Sequence, residues 1–383
     1  MKKNKAKIGL ILSGGGARAA YQVGVLKAIS ELLPHGAPNP FPLICGTSAG
    51  AINSAALAIY GARFSEAVGR LLRIWRNFHV HQVFRSDFTG IVISGAHWMS
   101  AFFLGGLGTG NRVSLLDRKP LGALLKRYVP CERIAESLEA GVLESLAITA
   151  SSYGSGKSVI FYQTDKDIKP WFRARRYGKE EVITLQHLMA SSAIPFMFSA
   201  VKINNEYFGD GSMRQTAPVS PVLHMGADKV LVIGVTNSDI ETKHSSDEPE
   251  YPSLAQIAGH ILNSIFLDSL EADLERLQRI NKTLGQIPSH RLEEHGTKLR
   301  PVDVLVVEPT QDLQLISSKY IKSLPWTIRF LLRGIGAFNK NGSSLISYLM
   351  FEKPYCRELI SLGYADAMQR KDEFIEFLEL ENK

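Results

Sequence analysis

The sequence contains little cysteine: three residues in 383, Cys45, Cys131 and Cys356, with no C-x-x-C spacing. An odd number of scattered cysteines excludes a disulfide framework and favours a reduced, cytoplasmic protein. Charge is only moderately biased, with a formal net charge of +7. The absence of a zinc-finger spacing and of an Arg/Lys stripe interleaved with aromatics disfavours nucleic acid as a partner. The diffuse basicity suits an acidic surface such as anionic lipid.

Long apolar runs are also scarce. Four lysines precede the apolar run 8–12, but five residues are fewer than the roughly 7–15 of a secretory signal peptide, so this run predicts a buried strand. Residues 88–111 carry no formal charge over a length that could cross a bilayer. Their six glycines, and their position between candidate catalytic residues, favour an apolar cap that touches lipid, or a buried segment. No transmembrane anchor is expected.

Two strand–loop–helix units follow each other near the N-terminus. The run 8–12 leads through glycines into a helix whose apolar residues Tyr21, Val25 and Ile29 share one face. The strand 43–45 leads through a sharp turn into an alanine-rich helix. Consecutive βα units predict an α/β fold, in which helices sandwich a mostly parallel central sheet.

The later segments predict more of the same sheet and then a helical extension. The sequence predicts two strands joined by "YGSGK", and then a helix that ends at Pro195. A strand pair around Asn204 and the buried strand "DKVLVIGV" come next, before the polar loop 239–252. This loop divides a first domain, 8–240, from a mainly helical extension, 241–383. In the extension Ser253 caps a long amphipathic helix, and residues 302–307 form a strand that is a candidate to rejoin the sheet.

The segment 44–53, ICGTSAGAIN, contains the pattern G-x-S-x-G with Ser48 at its centre. The pentapeptide alone is weak evidence, and a small residue in a tight turn is the alternative. Because Ser48 follows a buried strand and precedes a helix of small residues, its context is that of a nucleophile elbow.

The stretch SGGGAR, residues 13–18, lies between a strand and a helix. Backbone N–H groups of Gly14, Gly15 and Gly16 at a helix N-terminus are suited to hold a phosphate or an oxyanion, although a flexible turn would have the same composition. Arg18 either adds a cation to that site or forms a structural salt bridge.

A nucleophilic serine needs a base, and two candidates follow it. Ser48, Asp210 and His224 occur in the chain order of α/β hydrolases, but His224 lies at a predicted helix end, where a structural histidine is equally expected. Asp210, held between two glycines in "FGDGS", would itself act as the base within hydrogen-bond reach of the serine.

Two other motifs carry little weight. His79 and His81 have a spacing that metals use, but no carboxylate or cysteine cluster accompanies them, so neither a metal site nor a cofactor is predicted. "SSYGSGKS" resembles a phosphate-binding loop, yet it lacks the first glycine and precedes a strand rather than a helix.

Together, the G-G-G-x-R loop, the G-x-S-x-G elbow and the downstream D-G pair resemble the patatin-like phospholipase family, of the bacterial type. "AYQVGVLKAI", "SSAIPFMFSAV" and "GDGSMRQTAPVSPVLHMGAD" extend this resemblance over about residues 8–240. It implies a catalytic domain with a Ser48–Asp210 dyad and no catalytic histidine. It also implies an oxyanion hole formed by Gly14, Gly15 and Gly16, with Arg18 as a further candidate.

Two departures from the family pattern concern fine geometry only. Ala19 stands where the family commonly has glycine, and Ser212 stands in the acid motif where glycine or alanine is usual. Both substitutions are small and leave the predicted dyad intact.

The expected function is serine-dependent hydrolysis of phospholipid or lysophospholipid esters through an acyl-enzyme. The alternatives are an acyltransferase that uses the same dyad, and a non-catalytic protein that senses lipid or an acidic ligand. Residues 319–340 combine five basic residues with large apolar ones, so they form either a helix packed on the catalytic domain or an interfacial segment on an anionic membrane. The expected location is cytoplasmic, with peripheral contact to the inner face of the membrane.

Overall fold

The computed structural model describes residues 6–87, 114–215, 217–236, 253–266, 268–287, 299–338 and 343–380. The apolar segment 88–111, predicted to be a cap or a buried segment, lies outside these ranges, and so does the whole of the predicted boundary loop 239–252.

Within the described ranges, nine strands form one sheet at the centre of the molecule. The strands are β1 Ile8–Leu12, β2 Leu43–Thr47, β3 Ser145–Ser152, β4 Ser158–Thr164, β5 Arg176–Glu180, β6 Val201–Ile203, β7 Glu206–Asp210, β8 Lys229–Ile233 and β9 Asp303–Val307. The main path runs in the order β5-β4-β3-β2-β1-β8-β9, and β7 pairs with both β3 and β6. The five strands from β3 to β9 along this path are mutually parallel, whereas β4 and β7 run antiparallel to β3.

Helices cover both faces of the sheet. They are α1 Ala20–Leu32, α2 Ala49–Ile59, α3 Phe64–Trp75, α4 Lys119–Tyr128, α5 Arg133–Glu139, α6 Leu185–Ser191, α7 Ser220–His224, α8 Leu254–Phe266, α9 Asp268–Leu284, α10 Leu313–Lys319, α11 Trp326–Gly334, α12 Ser343–Leu349, α13 Lys353–Gln369 and α14 Lys371–Phe377. Within the described ranges, none of them has both the length and the apolarity needed to cross a membrane.

Strand β1 shows how the sheet divides two cores. All five of its residues are buried, as the apolar run 8–12 predicts. Leu10 and Leu12 face the larger core, which contains α1, α2, α3 and α13, while Ile11 faces a second core with α7 and α9. Successive side chains of a strand point to opposite faces, so a strand buried on both faces must be apolar throughout. The predicted α/β sandwich is confirmed.

The C-terminal helices complete the larger core instead of forming a separate one. Helix α13 packs along α1, where the Tyr21 hydroxyl donates to Asp366 Oδ2 at 3.0 Å. Strand β9 extends the sheet by pairing in parallel with β8, from Lys229 opposite Asp303 to Ile233 opposite Val307.

The amphipathic helix predicted after Ser253 is two helices, α8 and α9. Ser253 does cap α8, since its hydroxyl accepts from the N–H of Gln256 at 3.2 Å. The apolar residues of the two helices have different surroundings. Helix α9 buries its leucines in the second core, whereas α8 exposes Leu254 and Ile261.

Two buried amides join the first two helices. The Asn53 amide nitrogen of α2 donates to the side-chain oxygen of Gln22 at 2.9 Å, and its oxygen accepts from the Trp75 indole N–H at 2.9 Å. The Gln22 amide donates in turn to the carbonyl of Ser13 at 2.8 Å. Because Gln22 and Asn53 are fully buried, each bond satisfies a group that water does not reach. The network fixes α2 against the loop that follows β1.

We expect Asn53→Ala to lower the free energy of unfolding by about 1–3 kcal/mol, because it leaves the buried Gln22 and Trp75 groups without partners. Chemical denaturation measures this loss. Asn77→Ala is the control, since Asn77 is exposed and its amide makes only surface hydrogen bonds, to the carbonyl of Arg73 and, at 3.5 Å, from the exposed Arg357. Equal stability of the two variants would contradict a structural role for the network.

Candidate active site

Ser48 occupies a strained turn between β2 and α2. Its backbone has φ 55° and ψ −126°, a region that residues other than glycine rarely adopt. Its N–H donates to Ser191 Oγ at 2.9 Å, and that hydroxyl donates to the carbonyl of Thr149 at 2.6 Å. The strand–turn–helix context predicted for a nucleophile elbow is present, and α6 holds the turn through Ser191.

Strand β3 brings Asp210 beside Ser48. Thr47, the last residue of β2, lies opposite Thr149 of β3, and Asp210 of β7 lies opposite the next residue, Ala150. Strand β7 therefore continues along β3 where β2 ends. Residues that are far apart in sequence thus meet at the carboxyl edge of the parallel strands, which we call the catalytic edge.

Burial controls the charge of Asp210. Removal from water raises the pKa of its carboxyl to about 6, while the neighbouring Ser48 side chain, the hydrogen bond from the Ser212 N–H to Oδ1 at 2.9 Å, and the Arg118 guanidinium oppose that rise. Oδ2 is buried and accepts no hydrogen bond from the described residues, so Ser48 and Asp210 interact without a fully formed hydrogen bond. At neutral pH the carboxylate is ionised and has an acceptor to spare.

Arg118 is a charged residue of the site that no sequence signal indicated. Its guanidinium donates to the carbonyls of Met189 and Ser199 and is buried. Burial lowers its pKa to about 10 and the charge of Asp210 opposes this shift, so the group stays cationic at neutral pH. The only sequence pattern around it is an ordinary helix start, which explains why it was missed.

The glycine loop packs against both α2 and α12. Gly16 has φ 55°, and a Cβ placed there would lie 2.3 Å from the carbonyl oxygen of Tyr348. A Cβ at Gly50, two residues after Ser48, would lie 2.2 Å from the carbonyl oxygen of Leu12. Only glycine fits at either position. The loop of residues 14–16 and the elbow thus lie side by side at the catalytic edge.

Arg18 directs its side chain to α12. It is fully buried, its Nε donates to Ser347 Oγ at 2.8 Å, and its guanidinium carbon lies 4.1 Å from the ring centre of Tyr348. This cation–π and hydrogen-bonded contact ties the glycine loop to the C-terminal helices. The parts of Gly14, Gly15, Gly16 and Arg18 in an oxyanion hole stay predictions.

An apolar cavity of about 60 Å³ opens beside Ser48 and Gly16. Helices α2, α3 and α4 supply most of its walls, and Tyr348 and Phe351 close it on the side of α12. Ala49, Ile52 and Ala56 follow one face of α2, so the cavity extends about 12 Å along that helix from Ser48. We call this cavity the apolar channel, and its length and apolar lining suit an unbranched hydrocarbon chain.

The histidines considered from the sequence have other partners. The His224 ring stacks on Trp171 with centres 4.6 Å apart, and no hydrogen bond among the described residues joins it to Ser48 or Asp210. Burial lowers its pKa to about 4. His79 contacts Glu352 Oε2 at 2.9 Å through Nδ1 and stacks on His81. The described ranges contain no group of three His, Cys, Asp or Glu side chains suited to a metal.

The stretch resembling a phosphate-binding loop, 151–158, joins the antiparallel strands β3 and β4. No helix N-terminus follows it, so it lacks the element that holds a phosphate in such loops.

Known proteins resemble parts of this chain. The profile of the family described as "Patatin-like phospholipase" matches residues 10–223. Over 76 residues the chain is 43% identical to "Lysophospholipase nte1" of Aspergillus terreus and 42% identical to that of Aspergillus niger. Each match covers 18% of this chain and 5% of the fungal protein, so the chain spans only a small part of these curated relatives.

Two solved structures align with this chain at low identity and low TM-score. VipD from Legionella pneumophila aligns with a TM-score of 0.36 and 13% identity, covering 97% of this chain and 67% of VipD. The ExoU–SpcU complex from the type III secretion system of Pseudomonas aeruginosa aligns with a TM-score of 0.25 and 13% identity, covering 97% of this chain and 78% of the other. The family profile spans more than half of the sequence and includes the glycine loop, Ser48 and Asp210, so the chain belongs to the patatin-like phospholipase family.

Proposed function

We propose that the protein is a serine-dependent lipid acyl hydrolase that cleaves phospholipid or lysophospholipid esters through a Ser48–Asp210 dyad. The observation that carries this proposal is the position of a strained serine beside a buried carboxylate with a pKa of about 6, at the opening of an apolar channel. Family membership and the name of the fungal relatives support the substrate class.

In the proposed reaction Asp210 accepts the proton of the Ser48 hydroxyl while Ser48 Oγ attacks the ester carbonyl carbon. Backbone N–H groups of the glycine loop stabilise the negative oxygen of the tetrahedral intermediate. The intermediate collapses to an acyl-enzyme, and the leaving alcohol takes the proton from Asp210. Asp210 then deprotonates a water that attacks the acyl carbon, and it gives this proton to Ser48 Oγ as the bond between Oγ and the acyl carbon breaks and the fatty acid leaves. The apolar channel holds the acyl chain throughout.

An acyltransferase would share every step but the last, because another alcohol would replace water. A non-catalytic lipid sensor would use the same channel without forming a covalent bond. Fluorophosphonate labelling separates the sensor from both enzymes, and product analysis in the presence of an acceptor alcohol separates the two enzymes.

We expect Ser48→Ala to abolish both fluorophosphonate labelling and ester hydrolysis. Loss of such a nucleophile typically costs about 10⁴–10⁶ in kcat. The change removes one hydroxyl from a turn that Ser191 holds through the backbone, so the unfolding transition should stay cooperative. Activity above a few per cent in the folded variant would refute the assignment.

The pH dependence identifies the base. If Asp210 must be ionised, kcat/KM for a soluble short-chain ester falls as the pH drops through about 6, because the buried carboxyl then binds the proton that it should accept. Asp210→Asn removes activity at every pH. His224→Phe keeps the ring stack and is expected to keep both turnover and the acid limb. Loss of turnover in His224→Phe, with activity retained in Asp210→Asn, would indicate a Ser–Asp–His triad instead.

We also propose that residues 319–340 include a surface for peripheral contact with an anionic membrane on the cytoplasmic side. Helix α11 packs one face through Ile328 and Leu332, which are buried, and exposes Trp326 by 60% and Phe330 by 75% on the other. Arg333 is exposed on that second face, one turn further along. One face of α11 thus packs on the rest of the protein, and the exposed face supports the proposed membrane contact.

Helix α8 extends this surface. Its Ala255 N–H donates to the carbonyl of Ile335 at 3.0 Å, which brings the exposed Leu254 and Ile257 next to the end of α11. Neither 254–266 nor 319–338 contains an aspartate or a glutamate. An apolar, purely basic surface is what an anionic bilayer requires.

We expect Lys322→Gln/Arg333→Gln to weaken co-sedimentation with phosphatidylglycerol vesicles by about thirty-fold, since each basic residue near such a surface contributes about 1 kcal/mol. The matched control is Arg279→Gln/Lys282→Gln. These residues are exposed on α9 near Asn281, which bonds to Val302 at the opposite edge of the sheet. Equal sedimentation of the two folded variants would assign α11 to packing alone.

A further inference from the structure

A short hairpin before β5 carries an unusual concentration of charge. Residues 169–179, KPWFRARRYGK, contain five basic residues and no acidic one. Phe172 and Tyr177 pair as an antiparallel bridge, and the Arg173 N–H donates to the carbonyl of Arg176 at 2.8 Å. We call residues 171–177 the basic hairpin.

Three stacked rings anchor the basic hairpin to the protein. Trp171 is buried between Tyr162 and His224, with ring centres 5.0 Å and 4.6 Å away and planes within 18° of parallel. A Cβ at Gly178 would lie 2.4 Å from the Trp171 ring, so the indole lies directly on the backbone of β5. His224 therefore has a structural role, because it packs on Trp171. Trp171 anchors the base of the basic hairpin to the folded protein.

The tip of the basic hairpin exposes the ring of Phe172 beside Arg173 and Arg175. Phe172 is 70% exposed and stacks only on Tyr177, with centres 5.8 Å apart. Arg173 and Arg175 are exposed, and neither lies within 4.0 Å of a carboxylate oxygen of the described residues, although the Arg173 guanidinium donates to the carbonyl of Phe172 at 2.9 Å. Lys179, by contrast, pairs with Glu181 at 2.7 Å. The two arginines are thus available to an external anion.

The strand register places the basic hairpin at the catalytic edge. One row of the sheet runs from Thr47 through Thr149 and Ile160 to Gly178, each opposite the next. Three strand spacings separate the ends of this row, or about 14 Å. Ser48 follows Thr47 toward the catalytic edge, and the hairpin precedes Gly178 toward the same edge. A flat surface that touches the hairpin therefore also approaches the nucleophile.

The chemistry of the tip favours a bilayer over a small anion. A phosphate site is concave and built from buried donors, whereas this tip projects with its aromatic side chain in solvent. Exposed arginines beside an aromatic ring match the interface of an anionic membrane, where the cations meet head groups and the ring enters the acyl boundary.

We propose that the basic hairpin is a second membrane-contact element, which presents the catalytic edge to an anionic bilayer. This inference rests on the proposed lipid substrate, but it concerns residues that lie outside both the dyad and residues 319–340.

The test measures vesicle binding and catalysis separately. Arg173→Gln/Arg175→Gln is expected to weaken binding to vesicles that contain phosphatidylglycerol by about thirty-fold, and to leave binding to pure phosphatidylcholine unchanged. Phe172→Ser is expected to weaken binding to both kinds of vesicle. The charge-matched control Arg279→Gln/Lys282→Gln binds as the wild type does.

Hydrolysis of a soluble short-chain ester should be unchanged in all of these variants, because none of the substituted residues lines the channel or the dyad. A wild type that binds vesicles through the hairpin but hydrolyses no ester would refute the proposed function and leave the hairpin proposal standing. Equal losses in the hairpin and control variants would overturn the hairpin proposal, because binding would then follow net charge. Displacement from vesicles by inorganic phosphate at constant ionic strength would also overturn it, in favour of a small-anion site.

Discussion

The pairing of two different strands with β3 is the constraint on which the site depends. Strand β2 leaves β3 at Thr47, and β7 pairs with β3 from Ala150 onward. Ser48 follows one of these strands and Asp210 ends the other, so their separation is set by backbone hydrogen bonds of the sheet. Side chains positioned in this way need little further support, because the sheet ladder is among the most rigid parts of a fold.

Burial then gives this geometry its chemical use. Removal from water disfavours the charged form of the buried carboxyl and raises the pKa of Asp210 to about 6. The hydrogen bond from Ser212 and the charge of Arg118 keep the pKa from rising further. A base with a pKa just below neutral is ionised at working pH and still holds a proton well. The channel beside it is lined almost wholly by apolar side chains, so a hydrocarbon chain and the ionised carboxylate would occupy adjacent but distinct environments.

Local signals in the sequence were sufficient for eight of the nine described strands, the elbow and the sheet class, but not for β5. The run 8–12 is buried on both faces and matches β1 residue for residue, and Ser48 lies between a strand and a helix as its neighbours predict. Distant contacts left no such signal. Arg118 acts on Asp210 from a helix start. The ring stack around Trp171, which engages His224, unites three segments that no periodicity connects.

The contact between the glycine loop and α12 has a consequence for biosynthesis. Arg18 and Ser347 are 329 residues apart, and Tyr21 and Asp366 are 345 apart. During translation the first strand and its glycine loop emerge long before the helices against which they pack. Contacts of such separation form late, because the chain between them must be ordered first. Until residues 343–366 have been synthesised, the glycine loop and α1 therefore lack the helices that hold them in the folded protein.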